Sequence, residues 1–152
     1  MIGAPCFDVV NQRYFVVVST TSDDNRILVA NLQTKKVEQF VMLHNDSPDH
    51  LQYDVKNNRL LVDVNHTIHA VDLKTQKLTP LAKLPGGITA LFGTTFDFVN
   101  QIYYAHLTMP LEKGTEYRWA FAELKNGKSG YTVIYDDLTN VHFIPAKQQL
   151  PQ

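Results

Sequence analysis

The chain has 152 residues, 44% hydrophobic and 19% charged, with a formal net charge of −1. That length and composition fit a folded domain with a real core and exclude a disordered chain. The near-neutral charge removes the usual reason to expect nucleic acid or an anionic membrane as a partner, and the lone cysteine, Cys6, excludes an internal disulfide framework.

No apolar run approaches membrane-spanning length. The opening MIGAPCFDVV lacks the basic start and apolar core of a signal peptide. A reducing, cytoplasmic compartment is therefore the expectation.

Taken in order, the chain repeats itself. The first landmark is Phe7-Asp8-Val9-Val10-Asn11-Gln12-Arg13-Tyr14-Phe15, which returns as Tyr53-Asp54 to Leu60-Leu61 and again as Phe96-Asp97 to Tyr103-Tyr104. Each reads aromatic, Asp, two residues, Asn, amide, one residue, then an apolar pair. The aspartates lie 46 (8 to 54) and 43 (54 to 97) residues apart. A second landmark follows each time: Val29-Ala30-Asn31-Leu32 before Lys35, Ala70-Val71-Asp72-Leu73 before Lys77, and Phe121-Ala122-Glu123-Leu124 before Lys128. A repeat of this length must be sought before any other fold signal.

The middle unit shows what each repeat contains. Leu51–Tyr53, Arg59–Val64, Thr67–Leu73 and Lys77–Leu84 read as four short strands, separated by the turns Asp54–Asn58, Asn65-His66 and Lys74–Gln76. Pro80 cannot donate to a ladder, so the last strand belongs at an edge. The sequence divides into units over about 3–47, 48–86 and 87–138, with 139–152 as the start of a further one, because Val141–Leu150 aligns with Leu51–Leu60 without a gap. The expected fold is all-β: antiparallel four-stranded blades of a partial β-propeller in a single domain. The units differ between their second and third strands, where unit one carries Thr20–Asn25 and unit three a longer insertion, Thr108–Thr115.

Aromatic-Asp-x-x-Asn, two strands, then Val-Asp-Leu-x-Thr-x-Lys resembles blades of the broad YVTN, NHL and quinoprotein-like propeller group. The resemblance implies architecture and leaves function open, because that group holds enzymes, ligand binders and scaffolds. Propellers typically need four or more blades, so three arrangements follow: a piece of a longer ring, which is the expectation because the sequence stops inside a recognisable repeat, a second copy that closes one ring, or an open stack, disfavoured because unpaired edges invite aggregation.

The repeated Asp8, Asp54 and Asp97 read as turn caps that accept from nearby backbone N–H groups, with Asn11, Asn57 and Asn100 as left-handed turn residues. Asp63, His66 and His69 have suggestive spacing, but on a strand-turn-strand they need not converge, and no metal is expected. Asp23-Asp24 and Asp136-Asp137 lack the alternating oxygen pattern of a calcium loop. Asn45 and Asn65, in acceptor-like triplets, read as turn residues. Cys6 reads as a small buried apolar side chain.

No nucleotide loop, serine-hydrolase elbow or zinc-protease motif is present. No catalytic residue and no cofactor is assigned. Tyr117, Arg118 and Trp119, beside the longest insertion, and Asp23 and Asp24 in the first insertion are the candidate binding residues. The expectation is a non-enzymatic scaffold that binds a protein or a small ligand through its insertion loops. The alternative is a fragment of a propeller hydrolase, lyase or oxidoreductase completed by further blades, with Asp63 lining the channel.

Overall fold

The computed structural model describes residues 5–19, 25–43 and 48–132. These residues form three antiparallel sheets of four strands each, laid down in chain order. The first blade is β1 (Cys6–Asp8), β2 (Arg13–Ser19), β3 (Asn25–Asn31) and β4 (Lys36–Leu43). The second is β5 (Pro48–Asp54), β6 (Arg59–Val64), β7 (Thr67–Val71) and β8 (Leu78–Lys83). The third is β9 (Ala90–Asp97), β10 (Ile102–Pro110), β11 (Thr115–Glu123) and β12 (Ser129–Tyr131). Among the described residues no helix is long and apolar enough to cross a membrane.

Local chemistry builds each first hairpin the same way. Asp8, Asp54 and Asp97 end the first strand and pair in register with Arg13, Arg59 and Ile102 at the start of the second. One carboxylate oxygen accepts from the backbone N–H three residues on, at 3.0, 3.2 and 2.9 Å. The other accepts from the side-chain amide of Asn11, Asn57 or Asn100 at 2.7, 2.7 and 2.6 Å. This fixes the asparagines, and the left-handed step falls one residue later than the sequence suggests. It is Gln12 (φ 54°), Asn58 (φ 50°) and Gln101 (φ 63°) that take positive φ.

The other turns are equally local. Asn65 and His66, both at positive φ, make the two-residue connection between β6 and β7, a geometry that matches strand twist. Asn31 and Asp72 cap the third turn of their blades through Oδ1. Pro80 does lie on an edge strand, opposite His69 at a register shift. The expected insertion Thr108–Thr115 is mostly strand: Met109 pairs with Glu116 and Pro110 with Thr115, leaving Leu111–Gly114 to turn. The Leu111 N–H donates to the Gly114 carbonyl at 3.1 Å, and Gly114 supplies φ +99°.

Strand alternation aims each sheet both ways, so every blade packs on its neighbours. Phe15, Val17, Ile27 and Val29 of the first blade share a core with Leu51, Leu60 and Val62 of the second. The next residue along β6, Leu61, joins the opposite core with Tyr103, Ala105, Leu107 and Ala120 of the third blade. Burying these branched and aromatic side chains at about 1.5–3 kcal/mol each is the main force stacking the blades. The forward face of the third blade, carrying Tyr104 and His106, is only half-buried.

Candidate functional site

Two features stand out above this scaffold: a polar latch at each blade junction, and an aromatic surface on the third blade.

The latch grows from the first hairpins. Asp54 is fully buried (0% exposed) and ion-paired with Arg59 at 2.9 Å. Gln101 of the following blade completes it. Its Oε1 accepts from Asn57 at 2.8 Å and from Arg59 at 3.0 Å, and its Nε2 donates to Asp54 at 3.0 Å. The preceding junction is a variant of the same device. Asp8 pairs with Arg13 at 2.7 Å, Arg13 donates to the Tyr53 hydroxyl at 3.2 Å, and Asn11 donates to Asn58 at 3.3 Å. Burial alone would push the Asp8 carboxyl up, but bonds from Asn11, Arg13 and Tyr53 outweigh it and hold the group below its ordinary value. The repeated aspartates are therefore parts of the frame.

The aromatic surface is made by a bulge. His106 pairs with Gly93 and Leu107 with Leu91, so Phe92 is the extra residue, turned out onto the His106 side. The His106 ring stacks on Trp119 at 5.1 Å and on Tyr117 at 5.8 Å, and Phe92 meets both His106 (5.7 Å) and Tyr117 (5.6 Å). Phe92 is 55% exposed and Tyr117 54%. Burial lowers the His106 pKa, so the ring is held toward its neutral form. The Trp119 Nε1–H is buried and has no hydrogen-bond partner among the described residues.

The candidate triplet is thus divided. Tyr117 and Trp119 share this surface, while Arg118 points to the other side of the sheet, ion-paired with Glu116 at 2.7 Å and lying over the Tyr131 ring at 5.5 Å. Asp23, Asp24, Asp136, Asp137 and the segment 139–152 lie outside the described residues. His106 and Phe92 were missed by sequence reasoning. Phe92 depends on the bulge, and His106 could have been found only by noticing that it aligns with Asp63 and Val17 on the second strand.

A cleft of about 440 Å³ runs along the first strands, lined by Cys6, His50, Tyr53 and Thr94 among others, with no Asp, Glu, Lys or Arg side chain lining it among the described residues. Burial first, and then the Asp8 charge, push the Cys6 thiol up to about 12, which keeps it protonated and a poor nucleophile. Asp63 is fully buried (0% exposed), on the same face of β6 as Leu61. Strand alternation places it on the side of blade two that faces blade three, and it is not among the residues that line this cleft. His69 bonds the Thr67 carbonyl through Nδ1 at 2.8 Å. Among the described residues no three His, Cys, Asp or Glu groups come together as a metal site would require.

Successive four-stranded sheets joined face to face define three consecutive blades of a β-propeller. Solved structures share the arrangement. The chain is similar to an oligogalacturonate lyase in complex with manganese, with a TM-score of 0.61 at 14% identity over 83% of this chain and 38% of that one. It is also similar to the Cps50 (Swd1) β-propeller domain of Myceliophteria thermophila, with a TM-score of 0.55 at 13% identity over 86% of this chain and 42% of that one. The chain thus spans less than half the length of these neighbours. No family model and no curated protein sequence matches it.

Proposed function

We propose that the chain is a non-catalytic propeller scaffold that binds a protein partner through the forward face of its third blade. The observation that carries this reading is the exposed aromatic surface of Phe92 and Tyr117 around the His106–Trp119 stack. The equivalent forward faces of blades one and two are buried under the next blade. Aromatic side chains at a rigid, half-desolvated patch are favoured contact residues, because they give large area at small entropy cost. The first-strand cleft, which Phe92 also lines, has no Asp, Glu, Lys or Arg side chain among its described lining residues.

The test is photocrosslinking in the native cell. With p-benzoylphenylalanine in place of Phe92, a discrete protein adduct is expected. The same label at Leu32, comparably exposed on the turn between β3 and β4, should give none. Equal labelling at both positions, or no adduct at Phe92, would remove the reading.

A further inference from the structure

Every blade turns twice at the same end, and hydrogen bonds join those turns into one surface. Within blades one and three, the Leu32 and Leu124 N–H groups donate to the Gln12 and Gln101 carbonyls at 2.8 and 2.9 Å, so the first and third turns of a blade lie side by side. Between blades, Asn11 donates to Asn58 at 3.3 Å, and Lys56 Nζ donates to the Val99 carbonyl at 3.3 Å. This surface needs no uncovered blade face. The middle blade is packed on both sides and still keeps Lys56, Lys74 and Lys77 exposed.

The apolar side chains of these turns point in two directions. Val55 and Leu73 of blade two pack on the core shared with blade one, and Phe98 and Leu124 of blade three on the core shared with blade two. Their counterparts Val9 and Leu32 face the same way, off this surface. The turn residue after Val9, Val55 or Phe98 points outward in each blade: Val10 (68% exposed), Lys56 and Val99 (47% exposed). Turns usually carry Gly, Asn, Asp or Ser at such positions, so two exposed valines there gain nothing for the fold. The third turns add two exposed lysines per blade: Lys35 and Lys36, Lys74 and Lys77, Lys125 and Lys128. A lysine where each outermost strand begins discourages edge pairing. That accounts for Lys36, Lys77 and Lys128 and leaves the other lysines of this end unexplained.

None of these lysines is ion-paired among the described residues. The carboxylates of this end already have partners. Asp8 and Asp54 hold arginines, Asp97 holds Asn100, and Asp72 caps its own turn. Glu38 accepts from Asn31, and Glu123 from Asn126. With the two arginines, nine cations stand against these six carboxylates, so this end is positive although the whole chain carries −1.

We propose that this end of the blades binds an acidic protein segment that carries apolar side chains. Its carboxylates meet Lys56 and the outer lysines, and its aliphatic groups seat on Val10 and Val99. An anionic membrane is the poorer match, because this surface presents no exposed Trp, Tyr or Phe to anchor at a bilayer interface. The site is separate from the third-blade face and goes beyond the reading above.

Fluorescence anisotropy on the purified full chain tests it, with a fluorescein-labelled peptide of aspartates interspersed with leucines. Binding is expected, and it should weaken as salt is raised. The pair Lys74→Glu and Lys77→Glu, and separately the pair Val10→Ser and Val99→Ser, should each weaken it by about tenfold or more. Lys83 and Lys113 are exposed at the opposite end, beside the Asn65-His66 turn and in the Leu111–Gly114 turn. Changing both to Glu alters the charge equally and should leave binding unchanged. All these positions are exposed, and urea midpoints at the parent value establish that each variant is folded. No binding, equal binding of a leucine-free aspartate peptide, or an equal loss in the Lys83/Lys113 variant would overturn the proposal. So would binding to phosphatidylserine vesicles through the same lysines in place of the peptide. The Phe92 adduct bears on none of these outcomes, so the two readings fail separately.

Discussion

Gln101 and Gln12 stand at the same step of two equivalent turns, with φ of 63° and 54° and the same side-chain bond to a carbonyl three residues back. One is buried and bonded to Asp54, Asn57 and Arg59, while the other is exposed. Everything within the turn is therefore encoded locally, and everything beyond it is supplied by the blade before it. The pair separates the energetics of making a blade from the energetics of joining two. The same separation holds for apolar positions. Phe15 of blade one is fully buried, while its counterpart Tyr104 on blade three is half-buried.

The sharpest way to break the comparison is at the aspartates. Asp54→Ala removes the turn cap, the Asn57 bond, the Arg59 pair and the Gln101 bond together, and leaves a partly buried guanidinium without its carboxylate. A loss of about 3 kcal/mol is expected in urea unfolding, near the lower end for breaking a buried pair because Arg59 keeps some solvent contact. Asp97→Ala removes a cap and an Asn100 bond but no arginine, because Ile102 stands where Arg13 and Arg59 do. Its cost should be about 1–2 kcal/mol. Equal losses at the two sites would mean that the junction adds nothing to the turn.

A smaller contrast isolates the amide itself. Gln101→Ala leaves Asp54 and Asn57 buried with fewer partners and should cost about 1–3 kcal/mol. Gln12→Ala, at an exposed position, should stay within about 0.5 kcal/mol. A large effect of Gln12→Ala would show that its role lies inside its own blade.

Much of this was legible in the sequence, because the decisive interactions are short-range. Asp capping its own turn, the strand of Arg59–Val64 and the edge position of Pro80 all follow from residues within a few positions of one another. The left-handed step was misplaced by one residue because the asparagine beside each Asp is a good left-handed candidate until its amide is committed to the carboxylate. The junction partners were illegible for a different reason. That Gln101 reaches back to Asp54 is a contact across 47 residues, and nothing in one sequence marks it. The surface of blade three suffered most. A hairpin that pairs through Pro110 and Thr115 looked like an insertion, and the bulge that turns out Phe92 leaves no compositional trace.

The smallest expected effect concerns His106, and its sign is fixed by burial. Its neighbours on the surface are the rings of Phe92, Tyr117 and Trp119, and desolvation lowers its pKa from the ordinary 6.5. Between 6.5 and that lower folded value, the unfolded chain binds the proton and the folded chain does not. Stability therefore falls as pH drops through this window and is unaffected above it. A partner that covers the ring buries it further and widens the window, so association should weaken over the same range. His106→Phe keeps the aromatic stack and removes the titration. Compared from pH 7.5 to 5, the variant should lose less stability on acidification than the parent, with the two profiles parallel above about pH 7. Identical profiles throughout would mean that the imidazole accepts its proton in place, with water reaching it through the exposed face that the inner blades lack.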